Sequence, residues 1–216
     1  MILGYWPFKG RAQYFRYLLA YLKMEYKEVN PDYVDYFKTR KNLPFDFPNI
    51  PYIMDDDYNI TDSNAIQKYI LYKANREDLE GKDINEHIQH KIVTGVLKDV
   101  ENILFAIVLS NDAMKTYKKM KSFVIDPKFL YLNKYLGDKE YFLGELKVVD
   151  IMFLWVVEFL EKIEKYLKAD NTLDSFPGLA KLQIRVASQK EIKKYRETDE
   201  RMQLPTAPPI AKISLD

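Results

Sequence analysis

A proline ahead of a predicted strand, and the helix start that follows it, carry the residue types best suited to binding a peptide. Pro51 lies where its missing N–H would weaken a sheet ladder. A cis bond at Ile50–Pro51, the state of only about 5–6% of such bonds in general, would turn the backbone N–H and C=O of Ile50 outward to pair with an extended peptide. Asp62 and Ser63, with Ser63 as the helix N-cap, offer an acid for an ammonium, and a hydroxyl with free N–H groups for a carboxylate. Together these groups suit a small zwitterionic peptide.

Three other groups of polar residues could do chemistry, and each has a simpler structural interpretation. His87 and His90 lie three apart and could share a metal ion, but no third ligand follows at a suitable spacing, so two exposed histidines near a helix start are expected. The acidic triplet at 55–57 lacks the remaining ligands of a calcium loop and is typical of a hairpin turn. The basic clusters at 118–121 and 190–196 have acids nearby and indicate solvated helix faces. We therefore expect neither a metal nor a nucleic-acid partner.

The composition excludes several kinds of chemistry. Over 216 residues, 33 Lys and Arg nearly balance 32 Asp and Glu, so bulk charge gives no sign of a polyanion-binding face. The chain has no cysteine, which excludes disulfides, Cys-ligated metals and a thiol nucleophile of its own. Any sulfur nucleophile must come from a ligand. The 17 tyrosines, more than Phe and Trp combined, are the unusual feature of the composition.

Hydrophobic runs give no sign of a membrane segment. The amino terminus has no basic segment followed by an apolar one, and the longest apolar run, at 151–157, is far too short to span a bilayer. We expect a soluble cytoplasmic protein that does not insert into a membrane.

The first 73 residues predict strands and helices in the order βαβαββα. Apolar residues at 15, 18, 19 and 22 follow helical spacing, and two short runs flank the acidic triplet as a hairpin would. One crossover helix and one hairpin imply a mixed sheet covered by helices. The predicted strands are 1–6, 26–29, 50–54 and 58–61. The predicted helices are 11–24, a short helix or loop at 35–41, and a third helix from 63.

From residue 84 the pattern is helical throughout. Apolar residues at 88, 92, 96, 100, 103, 104 and 107 predict one long amphipathic helix. A helix at 114–136 should kink or break at Pro127, and one at 150–167 is apolar on most sides and should be central. Two shorter helices fit 179–189 and 191–198, and the proline-rich tail at 204–209 must be extended. We expect an α/β domain at 1–73, a polar linker at 74–83 and an all-α domain at 84–216 with an extended tail.

Several short motifs occur together over the whole chain. They are Ile2-Leu3-Gly4-Tyr5-Trp6 with Lys9-Gly10, Asp46-Phe47-Pro48-Asn49-Ile50-Pro51-Tyr52, Ile60-Thr61-Asp62-Ser63-Asn64-Ala65-Ile66, Phe142-x-Gly144 with Asp150, and the Leu204-Pro205 tail. In these segments the sequence resembles cytosolic glutathione transferases, and the mu class is the best match. The resemblance implies a thioredoxin-like domain, an all-helical domain, and a homodimer with two active sites near the interface.

The resemblance places Tyr5 at the family's catalytic tyrosine, whose hydroxyl donates a hydrogen bond to the glutathione sulfur. A thiol with a pKa of about 8.5 is only a few per cent thiolate at pH 7. A hydrogen bond to a charged acceptor contributes about 1.5–3 kcal/mol, equivalent to about 1–2 pKa units, which would make the thiolate a major species. Trp6 matches the indole that meets the glycine carboxylate of the tripeptide. Asn49 and Ile50, ahead of Pro51, match the segment that pairs with the cysteinyl unit.

Further glutathione contacts are implied at both ends of the tripeptide. Ser63 matches the binder of the γ-glutamyl carboxylate, and Asp62 stands where the mu class has a glutamine that meets the ammonium. Asp99 would reach that ammonium from the partner subunit. Tyr36 and Arg40 stand where the family has a tryptophan and a lysine, with Lys41 as a rival to Arg40 for the glycine carboxylate.

Other positions relate to assembly, stability and the second substrate. Phe47 matches the aromatic residue that inserts between helices of the partner, and its alternative is an ordinary core phenylalanine. Phe8 would hold the electrophile, and Ser110 stands near the family's second tyrosine. Lys147 replaces the Ser or Thr that caps the central helix, so half of the capping box with Asp150 is missing, and a threonine there should be stabilising.

The sequence therefore predicts a glutathione transferase that conjugates glutathione, its co-substrate, to hydrophobic electrophiles in detoxification. Two alternatives stay open. One is a ligand-binding or structural relative with little or no catalysis, and the other is a glutathione-dependent isomerase such as a prostaglandin synthase.

Overall fold

Four short strands form one mixed sheet in the first third of the chain. The computed structural model describes residues 1–56 and 58–215, and its strands are β1 (Ile2–Gly4), β2 (Lys27–Val29), β3 (Tyr52–Asp55) and β4 (Tyr58–Thr61). Their order is β2-β1-β3-β4, with β1 and β2 parallel and the other pairs antiparallel. The predicted mixed sheet and its hairpin are confirmed. Asp57, the last residue of the acidic triplet, lies outside the described residues.

Three helices accompany the sheet: α1 (Gln13–Tyr21), α2 (Tyr33–Thr39) and α3 (Ser63–Lys73). The apolar stripe of α1 is fully buried at Phe15, Leu18 and Leu19, as its spacing predicts. Asp32 caps α2 by accepting hydrogen bonds from the N–H groups of Val34 and Asp35. This element order confirms the predicted α/β fold of the first 73 residues.

The rest of the chain is helical. Its helices are α4 (Ile84–Leu109), α5 (Ala113–Met120), α6 (Asp126–Leu136), α7 (Val148–Leu167), α8 (Pro177–Ala187) and α9 (Lys190–Thr198). Most side chains of α7 are buried, and α7 packs against α1, α4 and α8, so the predicted central helix is confirmed. Within the described residues, every helix is too short or too polar to cross a lipid bilayer.

The predicted break at Pro127 is a π-helical segment. Residues Lys121–Ile125 join α5 to α6 in this form, and the Asp126 N–H donates to the Lys121 carbonyl five residues back. Pro127 has no N–H to offer the carbonyl of Phe123, so a regular helix cannot continue through it. The chain therefore changes its hydrogen-bond spacing just ahead of the proline instead of ending the helix.

The start of α7 differs from the expectation for Lys147. Asp150 accepts hydrogen bonds from the N–H groups of Lys147 (2.8 Å) and Phe142 (3.0 Å), and Lys147 supplies no side-chain cap. However, the Lys147 side chain is 1% exposed, and its Nζ donates to the Asp78 carbonyl at 2.9 Å and lies 3.4 Å from Glu86. A threonine would lose both contacts and leave a void. The expectation that threonine stabilises this site is therefore withdrawn.

The predicted apolar stripe of α4 is buried in its second half, at Val100, Leu104 and Ile107, but not in its first half. Ile88 and Ile92 are exposed, whereas His90, Val93 and Leu97 are buried. The expectation of two exposed histidines is therefore wrong, because His87 is partly buried and His90 fully buried. In the sequence, the exposed Ile88 and Ile92 have the same spacing as residues of a core face.

The loop after β1 is held from three directions. Arg11 donates to Glu101 and Asn102 on α4, both at 2.8 Å, and Glu101 also accepts a 2.9 Å hydrogen bond from the Trp155 indole on α7. Arg16, fully buried, donates to the Phe8 and Lys9 carbonyls and to Glu28. The carbonyl of Pro205 in the extended tail accepts from the Lys9 N–H at 2.7 Å.

The burial of His90 predicts an acid-sensitive stability. Burial, despite the nearby Glu80 carboxylate, lowers the pKa of His90 to about 4, from 6.5 in an exposed side chain. The neutral ring is favoured in the folded state, so its stability contribution is present above pH 6.5 and is lost as the pH falls towards 4. The linked loss of unfolding free energy should reach about 3 kcal/mol.

Chemical denaturation of the wild type and of His90→Leu between pH 4 and 8 measures this effect. The wild type should lose more stability with acid than the variant does. His87→Leu is the control, because it removes a partly exposed histidine from the same helix. It keeps His90 and the charged groups that act on it, Glu80, Lys91 and Lys147. Parallel curves for the wild type and His90→Leu would contradict the assignment.

The pair of Arg11 and Glu101 predicts a second pH-dependent effect. Burial raises the pKa of Glu101, and Arg11 counters this shift. Arg11→Met would leave the carboxylate buried without its cation, at a cost of about 2 kcal/mol, discounted because Arg11 is partly exposed. Because a raised pKa makes the ionised form unfavourable, the loss should be larger at pH 8 than at pH 5.

The measurement is the difference in unfolding free energy at the two pH values. The double variant Arg11→Met with Glu101→Gln should recover most of the loss, because glutamine carries no charge and can still accept from Trp155. A loss that is independent of pH and unaffected by the second substitution would show that the lost packing of Arg11, not its charge, is responsible.

Candidate functional site

An aromatic cluster separate from the main core joins several of the predicted site residues. Its buried members are Tyr5, Trp6, Phe8, Ala12, Tyr36, Phe45 and Tyr52, and Ile50 packs against it. The carboxyl end of β1, the helix α2 and the segment before β3 contribute these side chains. The structure thus brings together the residues predicted for the sulfur and for the cysteinyl and glycyl parts of a tripeptide.

Tyr5 is buried, with its hydroxyl in a defined environment. The side chain is 4% exposed, and its Oη accepts a 3.0 Å hydrogen bond from the Arg11 backbone N–H. Within the part of the chain that the structure describes, no acceptor is recorded for the hydroxyl proton. Burial raises the pKa of Tyr5 far above its ordinary value, so the phenol is protonated at neutral pH. Tyr5 is therefore a hydrogen-bond donor with a free proton.

The strand end that carries Tyr5 is fixed by its backbone. The Tyr5 N–H donates to the Val29 carbonyl at 3.1 Å, and the Tyr5 carbonyl accepts from the Asn30 side chain at 2.9 Å. Sequence reasoning did not identify Asn30 or Arg11, since neither contact follows a local pattern. A hydroxyl held from the backbone keeps its direction without a side-chain partner.

Helix α2 forms an aromatic wall beside Trp6. The rings of Tyr33, Tyr36 and Phe37 lie 5.1, 5.1 and 6.1 Å from the Trp6 ring, and Tyr33 and Phe37 are half exposed. Tyr33 and Phe37 were not predicted. Their spacing with Tyr36, at i, i+3 and i+4, places three aromatic rings on one helix face and could have identified them.

Arg40, one of the two rival cations for the glycine carboxylate, contacts the same wall. The Arg40 guanidinium lies 5.1 Å from the centre of the Phe37 ring, and it lowers the pKa of Tyr36 against the larger effect of burial, which raises it. The buried Tyr36 hydroxyl has no hydrogen-bond partner among the described residues. Arg40 therefore extends from the aromatic wall, and no comparable contact is recorded for Lys41 within the described chain.

The segment before β3 has the hypothesised backbone geometry. The Ile50–Pro51 bond is cis. The Ile50 N–H, however, donates to the side-chain oxygen of Asn49 at 2.9 Å. A peptide that pairs with the Ile50 N–H would have to displace the Asn49 side chain.

The start of α3 differs by one residue from the sequence prediction. Asp62, not Ser63, is the N-cap, since one of its carboxylate oxygens accepts from the N–H groups of Asn64 (2.8 Å) and Ala65 (3.1 Å). Both residue types cap helices well, so composition could not separate them. Asp62 has a φ of 76°, which is unusual for a residue with a side chain. Ser63 becomes the first helical residue, and the second Asp62 oxygen stays exposed beside it.

Three of the predicted residues that lie outside the aromatic cluster are Asp99, Ser110 and Phe47. The Asp99 carboxylate is exposed on α4, 2.8 Å from Lys128. The Ser110 hydroxyl lies 2.8 Å from that of Thr116 and accepts from the Asp112 N–H, so it is already engaged. Phe47 is 83% exposed, which excludes its interpretation as a core residue.

The described residues hold no group of three or more His, Asp or Glu side chains that could bind a metal ion. The predicted site residues supply a buried phenol donor at Tyr5, an exposed carboxylate at Asp62 beside a helix start, and an arginine at Arg40.

Comparisons with known proteins show the family to which the chain is similar. Residues 1–72 match the family model of the glutathione S-transferase N-terminal domain, and residues 98–199 match that of the C-terminal domain. The chain is 32% identical over 217 residues to glutathione S-transferase Mu 4 of Mus musculus, covering 95% of this chain and 94% of that one. It is 32% identical over 209 residues to glutathione S-transferase Mu 2 of Pongo abelii, covering 92% and 91%.

A solved structure extends the agreement to the fold. The crystal structure of the glutathione S-transferase Blo t 8 aligns with a TM-score of 0.82 at 22% identity, covering 99% of this chain and all of that one. Two family models, relatives of near-equal length and a shared fold thus point to one assignment. The chain belongs to the glutathione S-transferase family, a family of transferases.

Proposed function

We propose that this protein conjugates the thiolate of reduced glutathione to hydrophobic electrophiles, with Tyr5 as the catalytic residue. The observation that carries the proposal is the Tyr5 hydroxyl, which accepts from the Arg11 N–H and keeps its own proton to donate. A thiolate placed at this proton would gain a charge-assisted hydrogen bond in a buried setting. The bond would favour the nucleophilic form of the thiol at neutral pH.

The proposed peptide lies along the edge of the aromatic cluster. Its glycine carboxylate meets Trp6 and Arg40 beside Tyr36, and its cysteinyl unit pairs with Ile50 next to Asn49 and Pro51. At the other end, the γ-glutamyl carboxylate meets Ser63 at the start of α3. Its ammonium meets the free oxygen of Asp62, and Asp99 of the second subunit approaches from the other side.

The electrophile would lie against the cluster near Tyr5. Phe8 packs 5.3 Å from the Tyr5 ring and supplies an apolar wall. Ser110 follows the last residue of α4, and its hydroxyl is already bonded to Thr116. A polar contact between Ser110 and the electrophile is therefore less favourable. The proposal includes a detoxifying role in the cytoplasm, where glutathione is kept reduced. It also divides the chain into domains at 1–73 and 84–216, joined by a linker at 74–83.

Tyr5→Phe tests the proposal directly. The variant removes one hydroxyl and keeps the ring, so kcat/KM with glutathione and an aryl halide should fall about 10- to 100-fold at pH 7. The apparent pKa of the rate should rise by about 1–2, because the thiol loses its donor. Rates measured from pH 6 to 9 report both values.

Binding to glutathione is the matched control. The affinity of Tyr5→Phe for glutathione, measured by calorimetry, should stay close to that of the wild type. Equal turnover in the two proteins would remove Tyr5 from the mechanism. A wild type that binds glutathione but conjugates none of a panel of electrophiles would support the ligand-binding alternative.

We also propose that the protein is a homodimer. Phe47 is exposed, and α4 carries an apolar stripe on its outer face at Ile84, Ile88 and Ile92, all exposed in the single chain. Large exposed side chains at helical spacing are typical of a surface that a partner covers. The unusual apolar pattern of α4 then has a function, since one face packs inside the subunit and the other would face the second copy.

Phe47→Ser should weaken the dimer by about 30-fold or more, because a central aromatic anchor carries much of the energy of an interface. Sedimentation at micromolar concentration should show the wild type at twice the 25.7 kDa chain mass and the variant shifted towards the monomer. Phe123→Ser, which replaces a comparably exposed phenylalanine in the π-helical segment, should leave the mass unchanged. A monomeric wild type would exclude the dimer.

A further inference from the structure

Lys98 extends from α4 towards the start of α3. It is half-buried, and its Nζ donates to the side-chain oxygen of Asn64 at 2.5 Å. Asn64 directly follows Ser63, the residue proposed for the γ-glutamyl carboxylate. The ammonium of Lys98 is thus fixed at the helix start that would hold one end of the peptide.

Carboxylates on two helices act on the Lys98 ammonium. Burial lowers the pKa of Lys98, and the Asp62 and Glu101 carboxylates oppose that effect. Asp62 is the N-cap of α3, and Glu101 follows Lys98 by one helical turn on α4. Lys98 is therefore near both the carboxylate proposed for the ammonium of the ligand and the buried pair of Glu101 and Arg11.

Some hydrogen-bonding groups at the start of α3 have no partner among the described residues. Asp62 takes the N–H groups of Asn64 and Ala65, but over residues 1–56 and 58–215 no partner is recorded for the Ser63 hydroxyl or its N–H. An amino-acid head group carries one ammonium and one carboxylate. Asp62 complements the first, and Ser63 with a nearby cation complements the second.

We propose that Lys98 determines specificity for thiols whose γ-glutamyl unit keeps its free α-carboxylate. The proposal rests on the proposed glutathione site and adds a residue of the same subunit to it. Lys98 exchanges its bond to Asn64, or shares it, with the incoming carboxylate. Its half-buried position makes that attraction stronger than one at an open surface.

Calorimetric binding of two thiols to the wild type and to Lys98→Met tests the proposal. The thiols are glutathione and γ-aminobutyryl-cysteinylglycine, which lacks only the α-carboxylate. Lys98→Met should weaken glutathione binding about tenfold, as expected for a lost bond between charged groups, and should change the affinity for the analogue less than about twofold. Lys98→Arg should recover most of the glutathione affinity, since it keeps the charge.

The control removes the same charge elsewhere on the same helix. Lys91 lies two turns earlier on α4, 3.4 Å from Glu80. The variant Lys91→Met should leave the affinities for glutathione and for the analogue unchanged. Raising the salt concentration should reduce the difference between the wild type and Lys98→Met for glutathione only. Thermal unfolding without ligand measures any structural effect separately.

Each outcome decides the proposal. Equal weakening of the two thiols would make Lys98 a structural residue, and no weakening would remove it from the site; either result overturns the proposal. A wild type that binds glutathione selectively through Lys98 but turns over no electrophile would contradict the proposed catalysis and still support this assignment. A wild type that binds neither thiol would contradict both.

Discussion

The hydrogen bond from the Arg11 backbone to the Tyr5 hydroxyl is the contact on which the site depends. A phenol can donate one proton and accept from others, and here the accepting side is occupied, which orients the donating side. The bond can form only if the loop after β1 stays in place. Arg16 holds that loop from within the sheet domain, and Arg11 holds it from α4 through the buried Glu101. The direction of one proton is thus set by contacts from residues far apart in the sequence.

Local patterns in the sequence account for most of the fold. The α/β order, the hairpin at β3 and β4, and the central α7 follow from periodicity and turn composition, which act over a few residues. Predictions were less accurate where two solutions fit the same pattern. Asp62 and Ser63 are both good helix caps, and only the structure distinguishes them. Ile88 and Ile92 in the first half of α4 have core spacing, yet His90 occupies the core side there, because the spacing alone does not say which of two apolar faces is turned inward.

The candidate site was less accessible to sequence reasoning than the fold. Motifs led to Tyr5, Trp6, Ile50 and Ser63 because these types and spacings are characteristic of the family. Arg11, Glu101 and Lys98 act through contacts between segments 90 or 34 residues apart, and no local rule connects them. The hydrogen bonds that already occupy the side chains of Asn49 and Ser110 could not be predicted either, since whether a polar group is free depends on its neighbours in the fold.

The chain has two tryptophans, and because they lie in different parts of the fold, their fluorescence reports different events. Trp6 stands in the aromatic cluster beside α2, while Trp155 lies in α7 with its indole N–H on Glu101. An event at the peptide groove and a change in the helical core therefore affect different fluorophores. Replacing either one with phenylalanine leaves a single tryptophan, so selectively excited tryptophan fluorescence can follow the aromatic cluster in one variant and the state of the Glu101 contact in the other.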